Sequence, residues 1–526
     1  MEQLLQAYTE LRQGVSTYAL LPLLFTLYIA GISLYRLYFS PASGFPGPKL
    51  AIVSYWYEFY YDVWKGGRYT WKIRELHDVY GPFVRINPHE VHCNDPDFFP
   101  ILYTNSSKRK SDKSKWLIRQ SWTRDSTFKT IEHDLHKQRR AQLNPFFSKA
   151  SIRSLEPLMA SKVDRVCQRL QHLASHGQVV SLTHAFAALT LDIVSHVCFG
   201  VSYNTLEDDD LCKDWYEGMV VASRGGNLVR HLPWIYTSLR FLPRLATAST
   251  SAGMQASTGR QKELESTVRD VIGRHNSKET KEAAKPASRT IFDAILDANV
   301  PAEENSEPRL VNEAHSLTGA GAMTTAKAME QTIYYLLRQP DCMHRLFEEL
   351  TAAIPDDAVI PSSAVLEKLP YLTAVVHEGL RLSKGVPHRF MRISPDASYH
   401  YGHVIIPRGV PVGMTLMDFV EDPDVYPDPQ SFDPERWIPF DGPAARKCRD
   451  NLLIFGGGSR MCVGINMAWA ELYLTIAVVV RRLGPRLRLA DVDFERDVMV
   501  VEDGFNALAS RDSKGLRITL EPGVSS

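Results

Sequence analysis

The sequence predicts a mostly helical α+β protein: one N-terminal transmembrane helix, then a single large domain with small β-sheets at its edge. Three observations carry this. No residue in the stretch 13–35 is charged. Apolar residues recur at helical spacing from about 151 to 382, notably over 310–338 and 364–382, and again over 465–483. Strand-like alternation is confined to short pieces at 83–86, 404–407 and 498–501.

As a helix, the uncharged run is roughly 35 Å long, enough to cross a hydrocarbon core about 30 Å thick. Pro22 is tolerable in a membrane helix, where neighbours re-satisfy the freed carbonyl. A cleaved signal peptide would have a basic start and a short apolar core. Here the start holds Glu2, Glu10 and Arg12, and the run ends in Tyr35 and Tyr38, as an interfacial belt would. Residues 1–40 therefore read as an uncleaved anchor and 41–526 as the working domain. Phe45-Pro46-Gly47-Pro48 is a stiff, non-helical hinge between them. Arg36 and Lys49 flank the exit and place the domain on the cytosolic side. The sequon at Asn105 would then never meet the glycosylation machinery.

Lys+Arg and Asp+Glu balance at 60 each. A nucleic-acid binder would show a basic excess, so that class is excluded. With 44% apolar residues the chain can bury a large core. The seven cysteines are scattered, odd in number and contain no Cys-x-x-Cys pair, which argues against a disulfide framework or a zinc site and for a reducing compartment. The stretch 276–290 is charged and poor in large apolar residues, as an exposed loop would be. No internal repeat is present.

The sharpest chemical signal is Phe455-Gly-Gly-Gly-Ser-Arg-Met-Cys462-Val-Gly464. Consecutive glycines let a backbone approach a flat partner closely. A cysteine after such a loop, at the start of the helix from Ile465, sits where dipole and backbone N–H groups favour a thiolate, with Arg460 adding a cation. A thiolate of that kind suits a soft metal, haem iron included. A buried structural cysteine after a glycine-rich turn fits these residues equally well.

The loop does not stand alone. Phe455, Gly458, Arg460, Cys462 and Gly464 match every fixed position of the haem-binding loop of the cytochrome P-450 superfamily. Glu378-Gly-Leu-Arg381 resembles its Glu-x-x-Arg pair, and Pro434-Glu435-Arg436-Trp437 its Pro-Glu-Arg element. These occur in family order along nearly the whole chain. The stretches 143–147 and 57–62 are most similar to fungal secondary-metabolism members of the trichodiene oxygenase type. The resemblance implies haem b (iron protoporphyrin IX) with Cys462 as axial iron ligand. Glu378, Arg381 and Arg436 it implies as a structural lock rather than chemistry; a carboxylate between two planar guanidiniums suits a buried network.

Two haem propionates need neutralising in a low-dielectric interior. The resemblance points to Arg460, to Arg392, and to His136 and Arg140, with His136 where a tryptophan usually sits. Lys137 and Arg139 read as a solvated helix face or as a docking point for an acidic electron donor. Oxygen chemistry is expected on the helix 310–338, where Ala320, Gly321 and Thr324 match the family's groove and Thr324 is the expected catalytic residue. Gly319 and Gly321 suggest a kink or widened turn there. Met323 replaces the family's acid, and a thioether cannot carry a proton.

The resemblance places substrate contacts near 108–123, 222–242, 385–388 and 503–508, with Val386, Pro387, Phe505 and Ala320 lining an apolar pocket; Trp234 and Phe241 face lipid or a lid. It further implies a monomer in the endoplasmic reticulum membrane. This would use dioxygen and electrons from NADPH through a separate reductase, with a b-type cytochrome as possible helper. The substrate is a small apolar secondary metabolite such as a terpenoid or polyketide intermediate. Two alternatives stay open: a haem-thiolate isomerase or dehydratase acting on an already oxygenated substrate, and a non-catalytic haem-binding protein.

Overall fold

In the computed structural model, which describes residues 17–105, 109–119, 123, 125–175, 177–235, 252–277 and 290–521, the N-terminal apolar run is a helix, α1 (Thr17–Tyr38). Its stretch Leu20–Tyr38 has a mean hydropathy of 1.6 and none of it is buried, and it is long and apolar enough to cross a membrane. The helix ends at Tyr38 rather than at Tyr35. Arg36 does not break it, because its guanidinium turns back and donates to the Val53 carbonyl at 2.5 Å.

The Pro-Gly-Pro hinge is not free. The Arg85 amide donates to the Pro46 carbonyl at 2.7 Å, and the Arg85 side chain donates to the carbonyls of Arg36 and Pro88 at 2.7 and 2.6 Å. A Cβ at Gly47 would collide with the Arg85 carbonyl, so only glycine lets the hinge lie this close. Arg85 ends β1 (Phe83–Arg85), which pairs antiparallel with β2 (Val91–Cys93). A five-stranded sheet continues through β3 (Asp112–Lys113), β4 (Arg392–Ile393) and β5 (Val412–Gly413) in the order β1-β2-β5-β4-β3. Its β3–β4 register sets Lys113 opposite Arg392.

The helical part comprises α2 (His133–Leu143), α3 (Lys149–Ser175), α4 (Leu182–Phe199), α5 (Lys213–His231), α6 (Ala252–Asn276), α7 (Glu307–Arg338), α8 (Pro340–Ala353), α9 (Pro370–Leu382) and α10 (Ile465–Leu483). The 32-residue α7 runs through the middle and packs on α4, α6, α9 and α10. Helix α4 is as apolar as a membrane span, yet 89% of it is buried, so it is the core helix of the domain. Pro370, at the first turn of α9, separates that helix from the short turn Ser363–Leu366, where the periodicity had suggested one helix.

Two sequence expectations are corrected. Hydrogen bonding of α7 is α-helical from Glu307 to Arg338, without the widened turn expected at its glycines. A Cβ at Gly319 would stand 3.2 Å from Met219, and one at Gly321 would stand 3.0 Å from Val194 of α4. The glycines admit neighbouring helices, and the Thr190 hydroxyl of α4 donates to the Ala322 carbonyl at 2.8 Å across that close seam. The stretch 498–501 is not a strand: Val498 closes a π-helical turn, Phe494–Val498, and Val498 and Val500 are core residues. The ladder starts at β6 (Glu502–Gly504), which forms a hairpin with β7 (Asn506–Leu508). Most of the loop expected at 276–290, together with Phe241, lies outside the described residues.

Candidate active site

The loop before Cys462 is shaped by two left-handed glycines, Gly456 and Gly458, both at φ +71°. A Cβ at Gly458 would stand 2.6 Å from the Tyr103 carbonyl, and one at Gly457 would stand 2.8 Å from the Phe99 ring. The loop is thus pressed onto the segment after β2, and the Cys462 amide closes it by donating to the Phe455 carbonyl at 2.9 Å. Gly464 caps α10. All seven cysteines are free, and Cys462 alone is exposed. Burial nevertheless pushes its thiol up, against the Gly464 N–H and the Arg140 guanidinium, which pull it down. Dipole and N–H donors alone do not make it a thiolate, whereas a coordinated metal cation deprotonates a thiol outright.

Near Cys462, around Arg140, is a group of basic side chains, with Asp112 and Glu132 as the acids that bear on Arg460. Arg460 donates to the carbonyls of Thr130 and Ile131, both at 2.6 Å, and burial, then Arg392, push it down to about 9. Arg392 lies 5.1 Å over the Tyr103 ring and is lowered by burial. From α2, Arg140 donates to the Met461 carbonyl at 2.8 Å and is lowered by burial. His136 is forced neutral, down to about 2, by burial and then by Arg460, Lys113, Arg140 and Arg392. Lys113, 3% exposed, has its ammonium 3.5 Å from the Phe128 ring centroid and hydrogen-bonded to the Phe128 carbonyl. Burial and Arg392, Arg460, Lys129 and Arg140 push it well below an ordinary lysine.

None of these five side chains meets a carboxylate in a salt bridge among the described residues. Buried charges are ordinarily paired, so the cluster fits a dianionic ligand such as the two propionates of haem. Sequence reading found Arg460, Arg392, His136 and Arg140 but missed Lys113, whose place depends on strand pairing. Arg139 is corrected: it is neither a solvated face nor a docking point but is buried, donating to both oxygens of Glu304 at 2.7 Å and to the Thr130 hydroxyl at 2.8 Å. Lys137 remains exposed.

On α9, Arg381 donates to both oxygens of Glu378 at 2.9 and 2.8 Å, with Arg436 and the Trp437 indole completing the shell at 3.1 and 2.9 Å. Arg381 also donates to the carbonyls of Val420, Pro429 and Ser431, pinning the chain that leads to the cysteine loop.

Ala320 is exposed and Thr324 half-exposed in the middle of α7. The Thr324 hydroxyl donates to the Ala320 carbonyl at 2.8 Å. Met323 is buried and turned elsewhere, its sulfur accepting at 3.7 Å from the Asn506 amide, which also donates to Ser223 at 3.1 Å. The Phe505 ring lies 5.6 Å from Phe128 and 6.1 Å from both Phe390 and His388. Phe505 has φ +74°, rare for a bulky residue, with its amide donating to Asp503 at 2.9 Å. Asp503 also accepts from Thr70 at 2.6 Å and His388 at 2.8 Å, while Arg230 of α5 bridges His388 and Asp62 at 2.8 and 2.6 Å. Val386 is half-buried and Pro387 fully buried, and Trp234 is exposed. A cleft of about 720 Å³ between Thr183, Tyr216, Lys327 and Ala507 contains neither Cys462 nor Thr324.

The family model for cytochrome P450 matches residues 46–492. The tryptophan 6-hydroxylase of Fusarium equiseti is 39% identical over 95% of this chain and 96% of its own length. A cytochrome P450 monooxygenase of Sordaria araneosa is also 39% identical, over 91% and 94% of the two chains. The N-acetyltryptophan 6-hydroxylase of Emericella nidulans is 36% identical over 95% and 96%. An exposed cysteine on a glycine loop, a lock on α9, a basic cluster that forms no salt bridge among the described residues and this similarity along the whole chain lead to one conclusion: the protein belongs to the cytochrome P450 family and is a haem monooxygenase of the kind found in fungal secondary metabolism.

Proposed function

We propose that this protein is a reductase-dependent monooxygenase that places one atom of dioxygen into a small apolar intermediate of secondary metabolism, using electrons from NADPH. The observation that carries the reading is the pairing of Cys462 with a basic cluster that forms no salt bridge among the described residues, a thiol for iron beside a counter-charge for two carboxylates. Cys462 would hold the iron; Arg460, Arg392, Arg140, Lys113 and neutral His136 would hold the propionates; Phe455, Gly458 and Gly464 shape the loop. Haem, when bound, supplies activation of dioxygen. The chain's own residues do the rest: Ala320 and Thr324 border the oxygen side, and the Thr324 hydroxyl can donate and accept a proton. Gly321 keeps α7 close to α4. Phe128, Phe390 and Phe505 form an aromatic wall that excludes water.

That wall favours a flat or unsaturated ring system, terpenoid and polyketide intermediates included, and two of the relatives are named for hydroxylating an indole-bearing amino acid. Residues 1–40 anchor a monomer in the endoplasmic reticulum membrane, with domain 41–526 on the cytosolic side, where a membrane reductase and a b-type cytochrome reach it. The test is incubation of microsomes holding this chain and a reductase with isotopically labelled dioxygen and an apolar metabolite extract. Labelled product only with NADPH is expected. A changed but unlabelled product, formed equally well without NADPH, would instead identify a rearrangement enzyme.

A further inference from the structure

One carboxylate shapes the turn between β6 and β7. Asp503 accepts the Phe505 amide at 2.9 Å on an oxygen that takes no other donor among the described residues. Its second oxygen accepts from Thr70 at 2.6 Å and from His388 Nδ1 at 2.8 Å. The Asp503 backbone is held as well. Its amide donates to the Gly67 carbonyl at 2.9 Å, and the Asn227 side chain donates to its carbonyl at 2.8 Å.

Behind Asp503 the hydrogen bonds run in one direction only. A guanidinium has no acceptor. Arg230 therefore donates to His388 Nε2 at 2.8 Å, and His388 keeps its proton on Nδ1 for Asp503. Arg230 is itself fixed on α5, donating to Asn227 at 2.9 Å and to Asp62 at 2.6 Å. Arg230, His388, Asp503 and Asp62 are all at most 3% exposed.

This buried relay ends on a strained residue. Among the described residues, the six other non-glycine residues at positive φ lie between +49° and +58°, inside the left-handed well, while Phe505 stands at +74°. Such a conformation persists only where its surroundings over-determine it, and such residues gather at ligand-binding sites. The half-buried Phe505 ring joins Phe128 and Phe390. The next residue, Asn506, donates to the Met323 sulfur at 3.7 Å, one position from Thr324, so the turn lies against the middle of α7.

We infer that the relay from Arg230 through His388 to Asp503 positions Phe505, so that three buried side chains decide which flat ligands fit against α7. They are positioning residues, acting through the ring. The inference rests on the monooxygenase reading above, which sets substrate beside Phe505.

The full-length, haem-loaded protein tests it with two azoles that ligate haem iron, imidazole and the bulkier 4-phenylimidazole. Their affinities are read from the shift of the haem absorption band. Asp503→Asn and Phe505→Ala should each change the ratio of the two affinities several-fold, with imidazole itself unmoved. Asp503→Glu keeps the charge but carries its oxygens one methylene away. It should behave like Asp503→Asn, whereas a role in charge balance alone would leave it like the wild type. In the Phe505→Ala background neither Asp503 substitution should change the ratio further. Hydrogen exchange of the 503–508 backbone should quicken in both Asp503 variants while that of α9 does not. If Asp503→Asn does not fold, Asp503→Glu and its double variant decide. Equal weakening of both azoles, a wild-type ratio, or effects at 503 and 505 that simply add overturn the inference. A wild-type chain without the thiolate-type carbon-monoxide band overturns instead the reading on which it rests.

Discussion

Lys113 shows how far a single residue can escape a sequence reading. A lysine within the polar stretch 104–115 carries no mark of its role; only the β3–β4 register sets it against Arg392 and beneath Phe128. Cys462, Arg460 and Gly458 were legible because their spacing is local, whereas His136 and Arg140 needed the family likeness. Buried without an acid, the Lys113 ammonium should destabilise the chain alone and stabilise it around a dianion. Lys113→Met is therefore expected to raise the melting temperature of the haem-free protein. It should also speed haem release about tenfold, the worth of one charge-assisted hydrogen bond of about 1.5 kcal/mol. Stopped-flow transfer of haem to an acceptor globin measures the second effect, and equal destabilisation of both forms would refute the assignment.

Between elements, the lock around Glu378 was foreseen with its partners and the purpose of the α7 glycines was not. The pairing of Glu378 and Arg381 follows from their i, i+3 spacing on one helix. A small residue in a helix, however, makes room equally for a ligand or for a neighbouring helix, and only the position of Val194 decides for Gly321. Hydropathy has the same blind spot, since α1 and α4 look alike in composition while one is bare and the other buried. Removing one partner from a buried ion pair costs about 3–5 kcal/mol because the rest is left uncompensated. Glu378→Gln strands Arg381 and Arg436 in this way. It should lower the urea midpoint accordingly and release the chain at Val420–Ser431, seen as faster proteolysis there; an unchanged midpoint would show the lock to be dispensable.

At the scale of the whole molecule, the outline read from the sequence holds: an apolar N-terminal helix, a helical body and small sheets at its rim. The hinge was read as a stiff lead-away segment, and in the structure it is also a joint, closed by Arg36 on Val53 and by Arg85 on Arg36 and Pro46. Two proline rings and one glycine explain stiffness, but no local pattern announces that an arginine from β1 will grip the end of α1. The consequence concerns rotation. With α1 as the membrane anchor proposed above, a domain on a slack tether would tumble in every direction above a bilayer, whereas one gripped at the root of α1 can only spin about the membrane normal. Transient dichroism of the carbon-monoxide complex in vesicles should therefore decay slowly to a high residual anisotropy. Arg85→Met should add a faster phase and lower that residual, and an identical decay would mean that the grip opens in the membrane. If it holds, the proposed anchor keeps the domain at one height and one heading relative to the lipid, and a substrate dissolved in the bilayer always meets the same side of the protein.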